Sequence, residues 1–137
     1  MKKLLVLFVL TVIVAGSALA MVPEVIGGVR DGLAIGIMAE NPMAKGVSFR
    51  FGAEVNSGKQ PVILFAGGKF YMTNFGASPM YLGAGAVAYN GDSKTDFGAA
   101  ISAVFNRAFG VEPMFAEIGI DVVNTARVQA QLGYKLY

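Results

Sequence analysis

The most constraining stretch is Thr125-Ala-Arg-Val-Gln-Ala-Gln-Leu-Gly-Tyr-Lys-Leu-Tyr137. From Val128 it alternates without a fault. Val128, Ala130, Leu132, Tyr134 and Leu136 form one series, and Gln129, Gln131, Gly133 and Lys135 form the other. Period two is the repeat of a strand with one apolar and one polar face. A run of about ten such residues is long enough to cross a bilayer at a tilt, since a spanning strand needs roughly 9–11. A lipid-facing stripe in the closing strand points to a membrane β-barrel.

The rest of the chain repeats this unit between turn signals, the pattern of an all-β fold. Residues 32–40 carry Leu33, Ile35, Ile37 and Ala39 on one face, and Glu40-Asn41-Pro42 reads as a turn. In residues 46–56, Val47, Phe49, Phe51, Ala53 and Val55 oppose Ser48, Arg50, Gly52, Glu54 and Asn56. Residues 62–73 place Val62, Leu64, Ala66, Phe70 and Met72 against Lys69 and Thr73. Their Gly67-Gly68 pair reads as a kink within one strand in preference to a hairpin turn. Residues 80–89, 96–106 and 114–122 alternate in the same way, with polar turns at 90–94 and 110–113. Together with the closing strand this makes seven clear strands, whereas single-chain bacterial barrels have an even number. Either residues 22–30 supply the eighth, the preferred reading, or two strands between Lys45 and Thr73 are merged. The expected fold is thus an up-and-down antiparallel membrane β-barrel of eight strands.

Alternation alone does not say which face meets water. In a soluble sandwich the apolar faces point inward; in an outer-membrane barrel they meet lipid. The polar faces here are rich in Gly, Ala, Ser and Gln and sparse in charge, unlike a soluble surface, which is about a quarter to a third charged. Small residues suit the inside of a narrow barrel. The charges that do fall on those faces have both signs: Arg50, Lys69 and Lys135 with Glu54, Glu117 and Asp121. Buried charges need partners, so these six are expected to form an interior network. The opposite assignment, with the apolar face inward, gives a secreted soluble barrel that carries an apolar ligand, in the manner of a lipocalin.

The N-terminus supports export. Met1-Lys2-Lys3, an apolar run and Ala18-Leu19-Ala20 read as a signal peptide over residues 1–20, which leaves residues 21–137 as a single β-barrel domain. Without Lys2 and Lys3 the eleven cations fall to nine, equal to the nine acids. A neutral chain without a basic stripe gives no reason to expect nucleic acid.

The stretches Pro79-Met-Tyr-Leu-Gly-Ala-Gly-Ala, Phe97-Gly-Ala-Ala-Ile, Pro113-Met-Phe-Ala-Glu-Ile-Gly-Ile-Asp and Gln131-Leu-Gly-Tyr-Lys-Leu-Tyr137 resemble small outer-membrane β-barrel proteins. The resemblance is to the eight-stranded type typified by outer-membrane proteins A and X, and it covers residues 32–137. It implies residence in the cell outer membrane among its lipids, and insertion by the assembly machinery that reads the last strand: Val128, Ala130, Leu132, Tyr134, Leu136 and Tyr137. In that family the final aromatic usually shares the outward face. Here Leu136 has that phase, and Tyr137 falls in step with inward Lys135.

Chemistry is thinly represented. Glu117 and Asp121 share a face, but four residues of strand separate their Cα atoms by about 13 Å, too far for a carboxylate dyad. The acids near Asp92 lack the spacing of a calcium loop. With no histidine, a Ser–His system is impossible; with no cysteine, so are disulfides and thiolate chemistry. No cofactor is implied. The expectation is a structural or surface-interaction barrel, not an enzyme and not a wide pore.

Overall fold

The structure is a computed structural model that describes residues 2–4, 6 and 21–137. Most of the expected signal peptide, including the Ala18-Leu19-Ala20 cleavage motif, lies outside the described residues. From Val22 onward the chain forms eight strands: β1 (Val22–Arg30), β2 (Leu33–Ala44), β3 (Val47–Asn56), β4 (Val62–Phe75), β5 (Ser78–Asn90), β6 (Thr95–Asn106), β7 (Met114–Val122) and β8 (Ala126–Lys135). Each pairs antiparallel with its sequence neighbour, and β1 pairs with β8 to close the barrel. Residues 22–30 are therefore the missing eighth strand.

The register defines the shape. Paired residues lead from Val22 through Glu40, Arg50, Gly67, Gly85, Ala100 and Asp121 to Arg127, two residues past the Gln129 partner of Arg30. That circuit returns to β1 ten residues from its start. Such a stagger over eight strands tilts them by about 40–45° and leaves an interior just wide enough for side chains. The two chain ends share one rim with the turns at 45–46 and 76–77 and the connection 107–113. The opposite rim carries the connections 31–32, 57–61, 91–94 and 123–125.

Two turn expectations need correction. Glu40-Asn41-Pro42 does not turn the chain; it lies within β2, which runs on to Ala44, and the ladder shifts register between Pro42 and Ala44. Proline lacks the N–H a regular ladder needs, so it is tolerated at such an irregularity. The turn is Lys45-Gly46, with Gly46 at φ 75°. Gly67-Gly68 lies within one strand as expected, but the register runs through it unbroken; the irregularity in β4 falls between Tyr71 and Thr73. That extra residue resets the alternation. Phe75 thereby stays on the outer face, its ring edge-on to Phe105 at 5.8 Å.

The barrel is apolar outside. Each strand contributes a large exposed apolar side chain, among them Val29, Ile35, Val55, Phe70, Leu82, Phe97, Ile118 and Val128. The interior is filled by mixed chemistry: Ile26, Met38, Ile63, Phe65, Val87, Val104 and Phe115 lie buried alongside Arg30, Arg50, Lys69, Glu54, Glu117 and Asp121. Large inward residues face glycines across the ladder. Arg50 is opposite Gly67, Phe65 opposite Gly52, Lys69 opposite Gly83 and Phe115 opposite Gly133. A Cβ added at Gly133 would run into the Phe115 ring.

Candidate functional site

The densest polar chemistry is the column of side chains along the barrel axis. Nearest the loop-bearing rim, Arg30 reaches from β1 to two acids. Its Nε and Nη2 donate to the two oxygens of Asp121 at 2.8 and 3.1 Å, and its Nη1 donates to Glu54 Oε1 at 2.6 Å. The Tyr89 hydroxyl also donates to Asp121, and Gln131 donates its amide to the other Glu54 oxygen. Each carboxylate thus has more than one donor, which is what full burial demands.

One layer further, Arg50 forks onto Glu117, with Nη2 to Oε2 at 2.8 Å and Nη1 to Oε1 at 3.3 Å, while Ser102 Oγ donates to Oε1 at 2.7 Å. The guanidinium lies between the rings of Phe65 and Phe115, 5.9 and 5.7 Å from their centroids. Phe65 is shared, for Arg30 sits 5.5 Å from the same ring. Cation–π contact of this kind gains strength when water is excluded. Towards the terminal rim, Glu40 accepts from Lys69 at 2.6 Å and lies 3.7 Å from Lys135. The Lys69 ammonium is 4.8 Å from the Tyr81 ring.

At the loop-bearing mouth the β3–β4 connection sends one side chain into the barrel. Gln60 folds inward until it is buried; its amide donates to the Tyr89 carbonyl at 3.1 Å and to Asp96 Oδ2 at 3.0 Å. Its side-chain oxygen accepts from Arg127 Nη2 at 2.9 Å, while Arg127 Nη1 donates to Asp31 at 2.9 Å. Arg127 stands over the Tyr89 ring at 4.3 Å.

All six charges expected inside are in the interior, but their pairing differs from any simple reading. Arg50 takes Glu117 and not Glu54, four residues along its own strand β3. Glu54 and Asp121 share Arg30, a residue outside the expected set. Lys69 and Lys135 share Glu40, which the sequence reading assigned to a turn. Glu24 was missed as well; it is buried, and among the described residues neither carboxylate oxygen has a hydrogen-bond partner. The signal for Arg30 and Glu40 was phase. Arg30 is in step with Ile26 and Glu24, and Glu40 is in step with Ala34 and Met38, all inward.

Among the described residues the large exposed apolar side chains point outward, and the inside holds ion pairs alongside apolar residues, unlike the apolar cup of the lipocalin-like alternative. On β8, Val128, Ala130, Leu132 and Tyr134 alternate with inward Gln129, Gln131, Gly133 and Lys135. Leu136 lies past the strand's last residue, yet its N–H donates to the Pro23 carbonyl at 2.8 Å. Tyr137 does not follow Lys135 inward; beyond the ladder nothing enforces the alternation, and it is 79% exposed. No family model, curated protein or solved structure matches this chain.

Proposed function

We propose that this chain is a small outer-membrane β-barrel protein with a structural or surface-interaction role, not an enzyme and not a wide pore. The observation that carries the reading is the inversion of the usual globular pattern. Large apolar side chains are exposed on the outward phase of all eight strands, while three cations, Arg30, Arg50 and Lys69, are buried inside with their carboxylates. In water such a surface would be an aggregation liability; in lipid it is the expected band, around a polar interior. The partners are then membrane lipid on the outer wall and, during biogenesis, the assembly machinery acting on β8. The filled interior, with Gln60 turned inward at the loop-bearing mouth, supports a barrel that passes little.

Fractionation tests the reading. The exported protein is expected in the outer-membrane fraction, released only by detergent; recovery as a soluble species would overturn it. In planar bilayers the expectation is negligible conductance, and large stable single-channel currents would remove the closed-barrel part.

A further inference from the structure

The shortest strands of the barrel leave little margin over the thickness a membrane band requires. β1 and β7 have nine residues each. At about 3.4 Å per residue and a tilt of about 40–45°, nine residues span roughly 22 Å along the barrel axis. The lipid-facing band of such barrels is about 25 Å tall. Nine residues are the short end of the roughly 9–11 that a spanning strand needs, and the other six strands have ten or more, so what each rim exposes decides where the band ends.

The two rims differ in what they offer. The loop-bearing connections are polar and present Asp31, Lys59, Asp92 and Lys94. The terminal rim is fringed with apolar groups. Met43 beside the β2–β3 turn is 69% exposed, Phe75 beside the β4–β5 turn 71%, and Phe109 in the β6–β7 connection 80%. Just inside this fringe, once the stagger is allowed for, Phe49, Phe70, Phe105 and Tyr134 lie at similar heights on the outer face.

Phe109 is held there by its backbone. It adopts φ 56°, ψ 24°, left-handed geometry that is uncommon for a bulky residue. The Gly110 N–H bonds to the Arg107 carbonyl, the Val111 N–H bonds to the Ala108 carbonyl, and buried Ala108 anchors the segment. The charges on this rim are few. Arg107 and Glu112 neutralise each other at 2.8 Å, and Lys45 has a long apolar stem that lets its ammonium reach water.

We propose that the terminal-rim connections lie inside the bilayer, at the boundary of acyl chains and headgroups, so that the barrel sits displaced towards that leaflet. The occupant of the apolar fringe is lipid: Met43, Phe75 and Phe109 stand next to the outer band, with Phe49, Phe70, Phe105 and Tyr134 just inside them, and only the short polar residues Asn41, Thr73, Asn74 and Asn106 and the ion-paired Arg107 intervene. The proposal rests on the membrane reading above, and its test separates the two.

The chain has no cysteine, so single spin labels are placed by Phe75→Cys, Phe109→Cys, Ser93→Cys and Ile118→Cys in protein refolded into phosphatidylcholine vesicles. Accessibility to oxygen, which concentrates in lipid, is compared with accessibility to a water-soluble nickel chelate. The expected result is that labels at 75 and 109 follow the label at 118, with an oxygen-to-nickel ratio several-fold above that at 93. Ratios at 75 and 109 equal to that at 93, with 118 still lipid-like, would overturn the proposal and leave the membrane reading intact. So would labels at 75 and 109 shielded from both reagents, which would mean that protein covers the fringe. A label at 118 open to the nickel chelate would overturn the membrane reading itself, and the proposal with it.

Discussion

The inner and outer walls of this barrel are built from alternate residues of the same strands, yet they obey different rules. On the inner wall nearly every charged side chain is identified by its partner: Arg30 by Asp121 and Glu54, Arg50 by Glu117, Lys69 by Glu40. On the outer wall the side chains need only be apolar, and Val, Ile, Leu, Phe and Ala interchange from strand to strand. Interior identity is set by geometry and charge together. Exterior identity is set by solvent alone, so substitution should be punished very differently one residue apart.

Removing an interior cation should produce the largest effect. Arg30→Ala strands two buried carboxylates, and breaking a buried pair from one side costs about 3–5 kcal/mol; Arg30 is expected at or above the top of that range. Arg50→Ala strands Glu117 alone and should cost less, and adding Glu117→Gln should recover part of the loss. Urea titrations in detergent micelles measure both. Equal and small losses, within about 0.5 kcal/mol, would mean that the inner wall is no more specific than the outer.

The outer wall is broken by charge and not by shape. Ile118 lies mid-strand on β7 and is exposed; Ile118→Arg should cost about 2–4 kcal/mol in a bilayer, and Ile118→Leu should be nearly silent. If Ile118→Leu were as damaging as Ile118→Arg, packing and not lipid would govern that face.

The finest distinction is steric. Gly133→Ala places a methyl group against the Phe115 ring, and overpacking of this kind costs about 1–3 kcal/mol. Phe115→Leu in the same chain should relieve it, and a thermal melt of the two single variants and the double variant shows whether it does. Ala130→Gly, three residues away on the outward phase of β8, should be milder than Gly133→Ala.

The contrast between the walls also explains what could be read from residues alone. Where the inward residues are polar or small, as on β3 and β8, the alternation stands out and the strand is plain. On β1 the inward series is Glu24, Ile26, Gly28, Arg30, and the outward one is Pro23, Val25, Gly27, Val29. Apolar and glycine residues occur in both series, so the contrast that marks a strand vanishes. β4 has the same difficulty, because inward Ile63 and Phe65 are as apolar as outward Val62 and Leu64. The membership of the ion network follows from phase, and six of its charges were legible. The pairing was not, because it depends on the stagger of the sheet: Arg50 reaches Glu117 across the lumen and passes over Glu54 on its own strand. Tyr137 escaped for the opposite reason, since beyond the last rung of the ladder sequence phase has no structural meaning.

The double grip of Arg30 has a consequence for how the barrel is made. Its acids lie 24 and 91 residues along the chain, on β3 and β7. Hairpins form from neighbours and need little loop closure, but long-range pairing comes late. While β1 and β8 are apart, the first strand holds a cation whose Asp121 partner is still on the far side of an unclosed sheet. Lys69–Glu40 and Arg30–Glu54 join strands β4 to β2 and β1 to β3 and need no closure, so it is the Asp121 half of the Arg30 grip that is completed only when β1 meets β8.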